Sequence, residues 1–342
     1  MTPRVGVFAG SEAEWDACVQ TAPGSTHFQR FGWKAVIERV FGHDCIYLAA
    51  RDREERVTGV LPLVHARSMM FGDYLISMPF LNYGGPLGDD GSVQALVAEA
   101  VDIARARKVD LLELRSRTPL AIDASVSNRK ITCVLDLVPG DPDAVWRSLD
   151  SNVRRKVRHA QKQDFGLAFG ADQVDSFYSV FSRHMRDLGT PTLPRRWFQT
   201  IADQFGDDVW IGCVYSGNRP VAGAFGFQWG GELEVTWVSA LRDYHRHYAN
   251  MLLYWAFIER ATAQSLRVFN FGRCTPGSGT HRFKQQWGTR DVPLMWYQPL
   301  AGRRAATPSP NEGAFSWGPR VWKRLPLALT NALGPAIVRM IP

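Results

Sequence analysis

Several signatures of common chemistries are missing from this chain. No CxxC pair occurs, and the five cysteines, at 18, 45, 133, 213 and 274, are odd in number and far apart. That spacing suggests neither a disulfide framework nor a zinc site, so no metal is expected. There is no GxxxxGK followed by Ser or Thr, no GxGxxG, no GxSxG and no HExxH. Kinase, dinucleotide-binding, α/β-hydrolase and zincin readings all lose support. No apolar run is long enough to span a bilayer. The opening residues, MTPRVGVFAGSEAEWD, bring in acids early and lack the apolar stretch of an export signal. The expected compartment is the reducing cytoplasm, with contact at the inner face of the membrane discussed below.

What is present points to a globular enzyme-sized chain. Its 342 residues suggest roughly two domains. Hydrophobic residues at 45% and charged residues at 21% are ordinary for a protein with a real core. Twelve Trp and 19 Phe predict heavy aromatic packing, and a formal charge of +7 favours anionic partners. Apolar periodicity predicts helices over residues 12–21 (capped by Ser11), 31–40, 92–107, 174–188, 195–205 and 248–264, and strands over 4–9, 45–50, 57–64, 74–80, 110–115, 131–137, 209–215, 221–228, 233–240 and 267–271. Pro62 argues for an edge position or a bulge in its strand. The two halves can be overlaid. Phe41-Gly42 meets Phe205-Gly206, Val57 meets Val221 and Gly59 meets Gly223 at an offset of 164 (205 − 41). Leu111 meets Val268 and Leu114 meets Phe271 at 157 (268 − 111). A shared order of elements predicts a duplicated α/β unit with mixed sheets. The expected divisions are residues 1–137, 138–300, and a linker with a C-terminal amphipathic segment at 301–342.

The stretch FNFGRCTPGSGTHRFKQQWG, residues 269–288, concentrates the candidate chemistry. A short apolar strand runs into a Gly-, Pro- and Ser-rich loop carrying Arg273, Arg282, Lys284 and Trp287, an arrangement that suits an anionic or carbonyl-bearing ligand. Arg273 follows the strand directly and suits bidentate anion recognition; a structural ion pair is the alternative. Cys274 is not expected to be a nucleophile, because no His–acid pair is placed by the sequence to activate it. Arg154, Arg155 and Arg158 crowd the segment SNVRRKVRHAQKQ, where Arg154 and Arg158 share a helical face. They suit a diphosphate or a tRNA backbone, or a plainly solvated face. Tyr244, His245 and Asn250 stand at the mouth of the 248–264 helix. His245 brings an imidazole there, which suits a general base. In the tail, Trp317, Trp322 and Leu325 alternate with Arg320, Lys323 and Arg324. Residues 315–342 therefore suit an interfacial segment on an anionic membrane, or a helix docked on the core.

Helices, three meandering strands, a helix and one more strand is the order of the GNAT acyltransferase fold. The blocks SNVRRKVRHAQKQDFGLAF, MRDLGTPTLP, YANMLLYWAFIERA, FNFGRC and HRFKQQWG, in that order, resemble the FemAB-like family of tandem GNAT-fold acyl- and aminoacyltransferases, of the type associated with exosortase and exopolysaccharide systems. The resemblance implies N-acyl or aminoacyl transfer to an amine of a cell-envelope or exopolysaccharide precursor. It implies that Lys284, in the FKxxWG block, stabilises negative charge on the acyl-transfer intermediate; a lysine lying over Phe283 and Trp287 is the bland alternative. No permanently bound cofactor is expected. The segment RDYHRHYAN lacks the glycines with which acyl-CoA-dependent GNAT proteins cradle pyrophosphate, so the donor is left between aminoacyl-tRNA and acyl-CoA. The acceptor is expected to be a phosphate-bearing small molecule or lipid-linked substrate. A non-catalytic basic adaptor binding RNA or a membrane surface is the competing reading.

Overall fold

The computed structural model describes residues 3–68, 72–301 and 318–341. The linker expected over 301–313, apart from Ala301, and Trp317 lie outside them. Two compact units result. Residues 3–130, 293–301 and 337–341 form the first, and residues 131–292 with 318–336 form the second. The expected division at 137/138 thus shifts to 130/131, and the last strand goes back to the first unit. The physical reason is strand pairing: residues 131–136 hydrogen-bond with the second unit's strand Val268–Cys274, whereas 295–301 hydrogen-bond with Leu111–Ser116 of the first.

Among the described residues, thirteen strands carry both units: β1 Arg4–Val7, β2 Asp44–Arg51, β3 Val57–Ser68, β4 Gly72–Ile76, β5 Leu87–Gly88, β6 Leu111–Ser116, β7 Ser125–Asp136, β8 Phe165–Phe169, β9 Val209–Ser216, β10 Arg219–Trp229, β11 Glu232–Ala240, β12 Val268–Cys274 and β13 Arg290–Ala301. The first unit orders its sheet β1-β2-β3-β4-β6-β13, with the short β5 on β3. The second orders its sheet β7-β12-β11-β10-β9-β8. Each contains one parallel pair. β4 runs with β6 from Tyr74↔Leu111 to Ile76↔Glu113, and β11 with β12 from Glu232↔Val268 to Glu234↔Asn270. A parallel neighbour requires a crossover, here the helices Asp90–Ala106 and Ala249–Ala263. The 157-residue offset read from the sequence is the spacing of these pairs (268 − 111, 270 − 113). Mixed α/β architecture in tandem is therefore observed as expected.

The elements follow from local sequence. Ser11 caps the helix Glu12–Thr21 by accepting from the Glu14 N–H at 3.2 Å. Pro62 occupies neither an edge nor a bulge. It pairs with Tyr47 in mid-strand, at the interval on the other side between the β5 contacts at 59–60 and the β4 contacts from residue 64. A missing N–H is tolerated where a second neighbour is absent.

In the second unit, Phe177, Phe181, Phe198, Phe225 and Trp237 interlock through ring centroids 4.9–5.7 Å apart. The helix Ala249–Ala263 is buried all round from Met251 to Ile258, as its apolar run there demands. Its Tyr254 and Phe257 meet Phe271 and Phe169. Fully burying such rings contributes about 1.5–3 kcal/mol each.

The C-terminal helix Leu327–Arg339 docks on the second unit through Thr330 and Gly334, one turn apart and both buried. A Cβ on Gly334 would lie 2.9 Å from the Thr192 backbone nitrogen. Replacing Gly334 by Leu should therefore pry this helix off the 189–194 loop. Limited proteolysis should cut the variant near residue 318 faster than the parent by about tenfold or more, the ratio of an opening made ~1.4 kcal/mol easier; equal cutting would refute this contact.

Candidate active site

β11 and β12 pair over only three residues, although β11 runs on to Ala240 and β12 to Cys274. At this end β12 is irregular: between Asn270 and Arg273 its pairing with β7 is interrupted by a bulge. Gly272 has φ 73, and a Cβ there would stand 2.7 Å from the Val235 carbonyl oxygen. Only glycine fits that combination of left-handed backbone and close strand contact. Asn270, fully buried, holds the bulge. Its Oδ1 accepts from the Gly272 N–H at 2.8 Å and from the Thr132 hydroxyl, and its Nδ2 donates to Glu232 Oε1 at 2.8 Å.

Residues 272–288, expected as a loop, contain a helix, Gly279–Gln285. Ser278 starts it by accepting from the His281 N–H at 3.1 Å. Phe283 and Trp287 anchor it against Tyr254 and Phe271, with centroids 5.3–6.0 Å apart. Helical spacing then turns His281 and Lys284 inward together. Lys284 is 3% exposed, and Nζ donates to the carbonyls of Gly272 at 2.6 Å and Arg273 at 3.1 Å. Successive strand carbonyls normally face opposite ways; the bulge is what lets one ammonium reach both. Burial holds the Lys284 pKa below the ordinary lysine value, opposed by the nearby Cys274, Cys133 and Glu234. Glu234 is itself buried.

Beside Lys284 lies a second cluster. Cys133 and Cys274 bring their sulfurs within 3.5 Å, and the Cys133 thiol also faces Asp291 Oδ1 at 3.5 Å. His281 contacts Asp291 Oδ2 through Nε2 at 2.9 Å, while its Nδ1 accepts from the Gly277 N–H at 3.0 Å. The contact with Cys133, with Lys284 and His281 nearby, draws the Cys274 thiol below its ordinary value, and Cys133 is pushed up in return. Among the described residues, Cys133, His281 and Asp291 are the group whose ligand atoms lie within 4.8 Å of one another, as a metal would need. A backbone N–H donating to Nδ1 leaves the imidazole proton on Nε2, however, where a metal would need a lone pair. The same bonding revises the reading of Cys274. A His–acid pair does stand in this cluster, contrary to expectation, but both ring nitrogens are engaged.

The other sequence candidates separate into two places. Arg154, Arg155 and Arg158 lie on the helix Ser151–Gln161: Arg154 donates to the Arg147 carbonyl, Arg155 to Asn152 Oδ1, and Arg158 stacks on Trp146 at 5.4 Å. That helix is tied to the Lys284 helix by Lys156, which donates to Gln286 Oε1 at 2.8 Å. Its end meets the start of the helix Ala249–Ala263, where the His159 ring stands edge-on to Tyr248 and His247 bonds Gln163 Oε1 at 3.1 Å. The basic cluster and the Tyr244–Asn250 segment, read separately in the sequence, are thus neighbours. His245 is exposed, and its Nε2 donates to the Ala240 carbonyl at 3.3 Å. Tyr244 is half-buried against Phe165, and Asn250 is half-buried in the first turn of its helix. Arg273 and Arg282 are exposed, and Arg282 closes its turn by donating to the Gly277 carbonyl at 2.6 Å. Trp287, expected among the ligand contacts, is wholly buried; it belongs to the core because Phe271 and Tyr254 enclose it. Asn270, Thr132, Glu234, Cys133 and Asp291 were not anticipated. Asn270 and Glu234 each interrupt an apolar strand, and a polar residue there signals a buried bond to be found.

Residues 147–285 match the acetyltransferase (GNAT) domain family. Among solved structures, FemX aligns with a TM-score of 0.64 at 14% identity, over 85% of this chain and 97% of its own. L-PGS from Bacillus licheniformis aligns at 0.57 and 11% identity over 98% of both chains. A tandem GNAT protein from the clavulanic acid biosynthesis pathway aligns at 0.54 and 14% identity, over 87% of this chain and 99% of its own. Curated protein sequences give no significant match.

Replacing Asn270 by Ala would leave the Gly272 N–H and the Thr132 hydroxyl without this acceptor. The expected loss is about 1–3 kcal/mol, read as a lower urea midpoint at unchanged slope. An unchanged midpoint would mean the bulge holds without the amide.

Proposed function

We infer that this protein, a tandem GNAT-fold acyltransferase, moves an acyl or aminoacyl group onto an amine of a cell-envelope or exopolysaccharide precursor. The observation that carries the reading is Lys284: a buried ammonium fixed on two carbonyls where β11 and β12 part company. Attack of an amine on an acyl carbonyl puts negative charge on oxygen, and a preorganised cation in a water-poor site stabilises that charge. Lysine has three donors. The Gly272 and Arg273 carbonyls take two, and the third serves the oxyanion. The proton leaving the amine goes to water or to the exposed imidazole of His245. Arg154, Arg155 and Arg158, with Tyr244, Asn250, Arg273 and Arg282, supply a basic, hydrogen-bonding approach for a phosphate-bearing substrate. The donor is aminoacyl-tRNA or acyl-CoA. FemX among the structural neighbours, and a domain named as a putative lysylphosphatidylglycerol synthetase from Agrobacterium fabrum (TM-score 0.57, 11% identity), support an envelope or lipid-linked acceptor. A non-catalytic adaptor would need a basic face but no buried cation held this way.

Lys284→Ala should lower turnover by about 10²–10³-fold, measured by label transfer from each candidate donor, while thermal unfolding stays cooperative. Near-parental turnover would sink the assignment. The sign with pH is also fixed. Because the folded-state pKa lies below that of the unfolded chain, activity should fall on the alkaline side below the ordinary lysine value of ~10.4. Stability should rise over the same window, because the unfolded chain still binds the proton the folded one has lost.

The C-terminal segment supports work at a membrane surface. Val321, Leu329 and Leu333 are 42–48% exposed, beside the exposed Arg320, Lys323 and Arg324. Among the described residues no helix is long and apolar enough to cross a bilayer. The protein should sediment with vesicles containing phosphatidylglycerol and stay in solution with phosphatidylcholine alone. Leu329→Asp with Leu333→Asp should reduce that binding about tenfold or more, the loss expected from withdrawing two apolar side chains. Equal binding to both vesicle types would count against the anionic surface.

A further inference from the structure

The mechanism above leaves the two buried cysteines beside Lys284 without a task. Their sulfurs are 3.5 Å apart, on adjacent antiparallel strands. Cys274 stands opposite Ile131, and Cys133 follows two residues later on the same face. Chance pairs of buried thiols are usually inert and alike. These are not alike. Cys133 is fully buried and its thiol donates toward Asp291; Cys274 keeps 7% of its surface and begins the exposed turn at Thr275–Gly277. An ammonium stands close by, and Asp291 faces the Cys133 thiol from the other side. Cys274, next to the exposed turn, is thus placed to meet an oxidant first, with Cys133 as its resolving partner, which is the division of labour a redox dithiol requires.

We propose that Cys133 and Cys274 form a redox-active pair that closes to an intramolecular disulfide under peroxide, altering the electrostatic setting of Lys284. The thiolate of Cys274 attacks one oxygen of hydrogen peroxide; the O–O bond breaks and hydroxide leaves, giving a sulfenic acid. The Cys133 sulfur then attacks the Cys274 sulfur. The S–O bond breaks, and the departing hydroxide takes the Cys133 proton. The two thiols lose two electrons and two protons in total, and peroxide becomes two waters. Closing the pair shortens the 3.5 Å separation of the sulfurs to the bonded distance of about 2.0 Å. The reduced Cys274 thiolate is a counterion for Lys284, alongside Glu234, with Arg273 opposing. Oxidation deletes that anion. The buried ammonium then loses part of what keeps it charged, and its contribution to the transfer step falls. This last consequence rests on the acyl-transfer reading; the disulfide itself does not.

The test uses the full chain, reduced, desalted and treated with hydrogen peroxide, followed by alkylation and non-reducing peptide mapping. The expected product is lighter by two hydrogen atoms, links the peptides of Cys133 and Cys274, and returns to dithiol with dithiothreitol. In Cys133→Ser, a sulfenic-acid trap should label Cys274. The proposal is overturned if peroxide leaves both thiols free while Cys18 reacts, if Cys274 goes to sulfinic acid without linking, or if the reduced protein carries a stoichiometric metal that blocks oxidation. In parallel, label transfer should drop about tenfold on oxidation and recover with dithiothreitol, a change of ~1.4 kcal/mol in the barrier. A disulfide forming in a protein that transfers nothing in either state would remove the acyl-transfer reading and leave the pair standing. Transfer indifferent to a proven disulfide would remove the coupling to Lys284 and overturn that part of the proposal.

Discussion

Placing an ammonium in the interior is the constraint to which the rest of the second unit answers. Burying a charge costs several kcal/mol unless its hydrogen bonds and counter-charges are supplied. For Lys284 the hydrogen bonds come from two consecutive carbonyls, and consecutive carbonyls converge only at a bulge. The bulge needs a glycine at residue 272, since the Val235 carbonyl leaves no room for a side chain. It also needs an internal acceptor for the Gly272 N–H, which Asn270 provides with Thr132 behind it. The lysine must arrive on a short helix, so Ser278 caps that helix and Phe283 and Trp287 pin it to the aromatic layer. Glu234 and the sulfurs of Cys274 and Cys133 stand close enough to support its charge. Removing any one of these leaves a buried polar group unmatched, so they operate as a unit.

The sequence made much of the fold legible because each strand and helix of the repeat has the right length, and because the same spacing recurs in both halves. Leu111 and Val268 both open the single parallel pair of their sheets. Less legible was the return of β13 to the first unit. Strand pairing at long range leaves no local mark, so Met295 gives no hint that it pairs with Ser116. Lys284 could be found from the FKQQWG block, but not that it is buried, since a Gly- and Ser-rich flank reads as a loop until Ser278 is seen to cap a helix. The cysteines show the limit most plainly. Positions 133 and 274 are 141 residues apart in sequence, and only the antiparallel register of β7 and β12 brings them together.

Duplication did not give both units the same interior. At the 157-residue offset, Asn270 corresponds to Glu113 and Gly272 to Arg115. In the first unit those positions form a fully buried ion pair, Arg115 Nε to Glu113 Oε1 at 2.8 Å, and the guanidinium lies 4.5 Å from the Trp296 ring. The Gly84 and Gly85 N–H groups both donate to the Arg115 carbonyl, at 3.0 and 2.7 Å. So where the second unit turns its carbonyls toward a lysine, the first uses the equivalent carbonyl to anchor its own turn. An arginine neutralised by its neighbour, stacked and covered has no unsatisfied charge to offer a reacting oxygen. In the second unit the Gly272 and Arg273 carbonyls are left to an incoming cation, the Lys284 ammonium. One residue type at one equivalent position therefore separates a unit whose interior closes on an ion pair from one whose carbonyls hold a buried lysine.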